Sequence, residues 1–107
     1  MPQFDGGSKT GTTVKVRSFE KLQAPPLYRV ILHNDNYTTQ DFVVLILREI
    51  FRKTELEAVS IMLSVHQKGI GVAGVYPFQA AETKTEQVRQ LAERHEFPLL
   101  CTFEPDI

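Results

Sequence analysis

The stretch "LYRVILHNDNYTTQDFVVLILREIF" (residues 27–51) changes character twice along its length. Its opening, "LYRVIL" (27–32), is β-branched and aromatic enough to predict a strand. In "FVVLILREIF" (42–51), Phe42, Val43, Ile46, Leu47 and Ile50 recur at helical spacing, which predicts an amphipathic helix. Between the two, "HNDNYT" (33–38) places Asn34, Asp35 and Asn36 ahead of a tyrosine and a threonine. Asn and Asp tolerate turn conformations. Thr38 and Asp41 have the spacing of a capping box, so the helix is expected to begin at Thr38 or Thr39.

Downstream the signals are local and clear. "TELE" puts Thr54 at a helix cap with Glu57 three residues later. The expected buried face of this second helix is Ala58, Ile61, Met62 and Val65, and Gly69 stands at a left-handed C-cap position. "GVAGVYPF" (71–78) predicts a second strand, with Gly71 and Gly74 marking a close approach or a bulge. A third helix is expected from Ala80 to His95, with Ala81, Val88, Leu91, Ala92 and His95 along one side; Pro98 ends that region and "LLCTFE" (99–104) forms a last strand. The order β-α-α-β-α-β predicts an α/β (α+β) two-layer sandwich. Three helices would cover one face of a small antiparallel three-stranded sheet.

The whole chain has 107 residues, 42% apolar and 23% charged, with a net charge of −1, a composition sized for one domain. Residues 1–24 differ from the rest, being rich in Gly, Ser, Thr and Lys with little periodicity. They carry Lys9, Lys15, Arg17 and Lys21 against Asp5 and Glu20, and read as a flexible tail. Pro25 and Pro26 form a stiff junction to a core over 25–107. The near-neutral charge argues against a nucleic-acid partner. No run of about 18 apolar residues could span a bilayer and no apolar segment near the N-terminus resembles a signal peptide, so no membrane partner is expected. The lone Cys101 cannot form an intramolecular disulfide, and a cytoplasmic monomer is the expectation.

Catalytic and metal chemistry find little support. Cys101 with three histidines invites a Cys–His nucleophile, but it falls mid-strand between apolar neighbours, where cysteine behaves as a small hydrophobe. His33, His66 and His95 are scattered, "ERHE" lacks the second histidine of a zinc helix motif, and no glycine-rich phosphate loop follows a strand. No enzyme, metal or cofactor is expected. Met62 and His66, four apart, share one helical face. Were that face to look toward the 34–38 turn, Asn34, the Asp35 carboxylate and an imidazole nitrogen would gather beside an apolar hole. Clustered acceptors beside a hydrophobic pocket suit an ammonium group on a greasy side chain, such as a free protein N-terminus with a large apolar first residue.

"LYRVILHNDNYT", "IMLSVHQKGIGVAGVY", "AAETK" and "HEFPLLCTFEP" together resemble the ClpS family of bacterial N-end rule adaptors, over roughly residues 25–105 and in the family's order and spacing. The resemblance implies a non-enzymatic adaptor for N-degron substrates that begin with Leu, Phe, Tyr or Trp. It would deliver them to a ClpA- or ClpC-type AAA+ unfoldase feeding the ClpP protease. Carried over by position, Asn34 and His66 would hydrogen-bond the α-amine, with Asp35 and Asn36 supplying acceptors around it. His33, Thr38, Gln40, Val43, Met62, Val65 and Leu99 would line the side-chain pocket. Glu82, Thr83 and Lys84 would meet the unfoldase's N-terminal domain, and the segment before Pro25 would serve delivery. Three positions depart from the family's pattern: Asn36 replaces the usual Asp, Gln40 the usual Met, and Thr39 the commoner Pro. These bear on affinity and residue preference. The rival reading is a non-catalytic protein-interaction domain of the same β-α-α-β-α-β order, as in the ribosomal stalk C-terminal domain, without N-degron binding. The substrate-binding part of a ubiquitin ligase is a second rival, but the chain has no room for the ligase modules.

Overall fold

The computed structural model describes residues 24–107, and the tail expected over residues 1–24 lies outside them except for Ala24. Six elements follow in the expected order: β1 (Leu27–His33), α1 (Gln40–Glu49), α2 (Glu55–Lys68), β2 (Ile70–Pro77), α3 (Phe78–Arg94) and β3 (Leu100–Pro105). The sheet has the order β2-β1-β3, with both pairings antiparallel.

Side chains alternate across β1, so residues two apart share a face. Val30 and Leu32 point to one side and are fully buried in the core with Phe42, Ile46, Leu47, Ala58, Ala81 and Val88 from the three helices. The opposite face is open. It carries Ile31 between Val72 and Thr102, and Arg29 Nε donating to Glu104 Oε2 at 2.8 Å. Helices on one face and an uncovered second face make the expected two-layer sandwich.

Two glycines set how α2 meets the sheet. Gly69 ends α2 in the left-handed region at φ 91°, and its N–H donates to the Val65 carbonyl at 3.0 Å. At Gly71 a Cβ would stand 2.7 Å from Val65 Cγ2, so the bare backbone lets α2 press directly onto β2. The expected irregularity near Gly74 is a β-bulge: Val30 pairs with Gly74 and Ile31 with Val72, leaving Ala73 as the extra residue.

Several boundaries move. The ladder extends β1 to His33, because His33 pairs with both Ile70 and Leu100. Thr39, not Thr38, is the N-cap of α1, and its side chain accepts from the Phe42 N–H at 3.1 Å. The Thr38–Asp41 box does not form because the Thr38 hydroxyl donates instead to Asp35 Oδ2 at 2.7 Å. Helix α3 begins at Phe78, directly after Pro77, which closes the strand and stands at the helix cap with φ −59°. Leu99 precedes the last strand and is buried in the core.

Candidate functional site

The turn after β1 is built by one side chain. Asp35 Oδ1 accepts from the backbone N–H groups of Tyr37 and Thr38, each at 2.7 Å, while Oδ2 takes the Thr38 hydroxyl. Burial raises the Asp35 pKa, but the bonds from the Thr38 hydroxyl and from the Thr38 and Tyr37 N–H groups outweigh it and hold the carboxyl below its ordinary value. The turn is therefore an anionic Asx-type loop at neutral pH.

A single backbone bond joins this loop to the end of α2: the Asn34 N–H donates to the Gly69 carbonyl at 2.9 Å. His66 lies in the last turn of α2, just before Gly69. The staple thus brings the 34–38 turn beside His66, a convergence that sequence spacing alone could not establish. Among the described residues, the side chains of Asn34, Asn36 and His66 make no hydrogen bond to the protein, whereas those of Asp35, Thr38 and Thr39 do.

The result is a recess of about 250 Å³ lined by Asn34, Asp35, Asn36, Thr38, Gln40, Val43, Met62, Val65 and His66. Its apolar part is the buried trio Val43, Met62 and Val65, contributed by α1 and α2. Polar groups of the turn and His66 complete the lining. The volume lies just below the ~300 to 1,000 Å³ of pockets for drug-sized ligands, so one amino-acid side chain with its backbone head is the scale it suits. With an anionic turn, amide oxygens and an imidazole beside an apolar floor, it can accept hydrogen bonds from a cation while burying carbon.

Two residues expected to line the pocket stand elsewhere. His33 shares the open face of the sheet with Ile70 and Leu100, and its Nε2 is 2.8 Å from Thr102 Oγ1. Leu99 packs in the core and does not reach the recess. Nine of the expected positions do converge; the staple between Asn34 and Gly69, which positions them, carried no sequence signal.

The residues expected to meet an unfoldase divide in two. Glu82 and Thr83 are exposed on α3, beside a shallow hollow shared with Glu86, Gln87 and Gln90. Lys84 turns inward: its Nζ donates to the Ile50 carbonyl at 2.9 Å and lies 5.2 Å from the centroid of the Tyr76 ring. It thereby caps the C-terminal end of α1, where a cation also meets the negative end of the helix dipole. Cys101 is a poor nucleophile, since burial pushes its thiol up to about 11 with the Thr85 hydroxyl opposing only part of the rise. Among the described residues, no group of three or more His, Cys, Asp or Glu side chains is placed to hold a metal ion. No helix among them is long and apolar enough to cross a membrane.

Comparison with known proteins agrees with the geometry. Residues 23–102 match the family model described as "ATP-dependent Clp protease adaptor protein ClpS". The chain is 54% identical to the ATP-dependent Clp protease adapter protein ClpS of Myxococcus xanthus, over 81% of this chain and 81% of that protein. It is 60% identical to the ClpS of Lawsonia intracellularis, over 79% of this chain and 78% of the relative. Among solved structures, Agrobacterium tumefaciens ClpS2 bound to L-phenylalaninamide superposes with a TM-score of 0.74 at 38% identity, covering 77% of this chain and 99% of that one. The family-model match covers the turn, both helices that line the recess, and the sheet as far as Thr102 in the last strand. The chain belongs to the ClpS family of Clp protease adaptors, and it is an adaptor, not an enzyme.

Proposed function

We propose that this chain captures proteins by their N-terminal residue, through a free α-amine and a large apolar side chain, and delivers them to a Clp AAA+ unfoldase. The observation that carries the reading is the recess itself, where the side chains of Asn34 and His66, without a hydrogen-bond partner among the described residues, share one lining with the apolar Val43, Met62 and Val65. An α-ammonium has three donors and an ordinary pKa near ~8, so it arrives charged at neutral pH. Asn34 Oδ1 and a His66 ring nitrogen accept from it, while the Asp35 carboxylate, already committed to the turn, adds attraction at short range. Burying the first side chain contributes about 1.5 to 3 kcal/mol. Amine capture in a small polar nest is a general recognition mode. The ligand of the Agrobacterium protein, an aromatic amino acid with a free amine and no carboxylate, has the same chemistry.

Leu, Phe, Tyr and Trp are the first residues that this pocket suits, with Gln40 at its rim. The exposed surface at Glu82 and Thr83 is the proposed contact for the N-terminal domain of a ClpA- or ClpC-type unfoldase. Lys84 supports that surface from beneath by tying α3 to the end of α1. Residues 1–24, ahead of the core at 25–107, are proposed to act in delivery, and the cytoplasm is the proposed site of action.

Calorimetric titration with free-amine peptides differing only in the first residue tests the proposal. Phe, Leu, Tyr and Trp should bind, and Gly, Asp and Lys should not. Binding that ignores the first residue, or no binding at all, would favour an interaction domain that uses the fold without the pocket.

A further inference from the structure

The open face of the sheet is apolar where the exposed face of an antiparallel sheet is ordinarily polar. The strand register gathers Leu27, Ile31, Ile70, Val72, Val75 and Leu100 on it. All but Ile31 are 42–55% exposed. Single exposed apolar side chains are ordinary, but a contiguous patch marks a surface that something covers. The carboxylates of this face stand at its Leu27 end. There the Arg29 guanidinium lies 2.6 Å from Glu104 and 3.6 Å from Asp106, so two carboxylates share one cation and a negative charge is left over. The Asp106 N–H donates to the Leu27 carbonyl at 2.9 Å, which fixes that charge beside the start of β1.

We infer that this face is the docking surface for the chain's own N-terminal segment, with Val14 and Val16 laid against its aliphatic side chains. Size decides against a second copy. Three strands ~4.8 Å apart and about 20 Å long present roughly 300 Å², well short of the about 800 Å² per partner that a stable dimer buries. A tethered segment needs far less, because a short linker holds it at an effective concentration on the order of millimolar. Reach and pattern fit as well. The segment joins the sheet at Leu27, on the edge of the patch, and residues 18–24 extend to about 23 Å, enough to carry Val16 back over Ile31 and Val72. In "TVKVR" (13–17) Val14 and Val16 alternate with Lys15 and Arg17, so an extended chain turns the valines to the sheet and the cations to water. Residues 14–21 carry Lys15, Arg17 and Lys21 against Glu20 alone, and Lys21 is the cation nearest the junction, where Glu104 and Asp106 stand. The docking stands apart from the amine pocket. It gives the segment proposed to act in delivery a parked position on the side of the sheet away from the helices, which it must leave before it can act.

Paramagnetic broadening in the full chain tests this, with a nitroxide on the single added cysteine of Thr12→Cys. The parent, whose Cys101 is half-buried, is treated identically and sets the background. The label should broaden the methyl signals of Ile70, Val72 and Leu100 and leave those of Leu56 and Leu63 on α2 sharp. Adding Val14→Ser and Val16→Ser should lower the docked-to-free ratio by about tenfold or more, as expected for two valine side chains returned to water. Lys21→Glu should lower it by about two- to fivefold at low salt. Affinity for L-phenylalaninamide should stay within about twofold in every variant, since none touches the recess. Broadening spread evenly over both faces overturns the docking, as does broadening that the two serines leave unchanged. Broadening that appears in a mixture of nitroxide-bearing and isotope-labelled chains as strongly as within one chain assigns the face to a second copy and overturns it too.

Discussion

Two turns in this small domain lead into helices through a threonine cap, and they treat their polar groups differently. Before α2 the turn closes on itself: Thr54 Oγ1 accepts from the Glu57 N–H at 3.2 Å and Glu57 Oε1 accepts from the Thr54 N–H at 2.9 Å. The bond from the Thr54 N–H, helped by the Thr54 side chain, holds the Glu57 carboxyl below its ordinary value. Before α1, Thr39 and Asp35 satisfy the backbone just as fully, yet the Asn34, Asn36 and His66 side chains beside them are left without a partner among the described residues. A capping turn that only starts a helix uses what it carries. The turn at 34–39 carries acceptors beyond what the fold needs, and they line the recess.

The largest expected effects come from the side chains with no structural duty. His66→Ala and Asn34→Ala should each weaken a Phe-initiated peptide by about tenfold or more, since a hydrogen bond to a charged group contributes about 1.5 to 3 kcal/mol. Neither should shift thermal unfolding appreciably. A melting temperature lowered in step with the affinity would show that these residues hold the fold, and the contrast between the turns would collapse.

Asp35 belongs to both categories. Asp35→Ala leaves three donors of the turn without their acceptor, and should cost about 1 to 2 kcal/mol of stability as well as weakening the peptide. Because its folded pKa lies below its unfolded value, its contribution is fully present above about pH 4 and is lost as pH falls through the depressed folded value. Denaturant melts of parent and Asp35→Ala from pH 7 down to pH 2.5 should therefore converge only at the acid end. A gap that is widest in acid would contradict the anionic turn.

Thr54→Ala sharpens the comparison from the other side. Losing this cap should cost about 1 kcal/mol and leave peptide affinity unchanged, because the box has no group to spare for a ligand. A fall in affinity equal to that of His66→Ala would show that α2 transmits its stability to the pocket.

The smallest effect is expected at Gln40. Its amide must turn to water when a large side chain enters, since an unpaired buried amide costs about 1 to 3 kcal/mol. Gln40→Met should tighten Phe and Leu peptides by less than about tenfold, and Gln40→Ala should admit Ile and Val. A parent that already binds Ile as tightly as Leu removes Gln40 as a gate.

What the sequence made legible was local. The Thr54–Glu57 box, the left-handed Gly69 and the apolar stripe of α1 depend on residues within one turn of each other, and each formed as its spacing required. Sequence-distant partners decided the rest. Lys84 reaches the Ile50 carbonyl across 34 positions, an interaction that no periodicity encodes. His33 turned away from the recess because the ladder to β2 and β3 carried β1 one residue past its apolar run, which fixed its side chain on the open face. The choice of Thr39 over Thr38 as cap followed from Asp35 claiming the Thr38 hydroxyl, a competition visible only once the turn is built. The candidate site stood between these cases: its residues could be named, but their meeting depended on the bond between Asn34 and Gly69.

The central claim is that the spare acceptors at Asn34 and His66, beside the anionic turn built by Asp35, exist for a charged amine. The most direct measurement compares one Phe-initiated peptide with its Nα-acetylated form, by anisotropy against the same protein at neutral pH. Acetylation removes the charge and two of the three donors while leaving the aromatic side chain intact, so binding should fall by at least about a hundredfold. Equal affinity for the two peptides would mean that the recess reads only an apolar side chain, and the amine-capture account would be wrong.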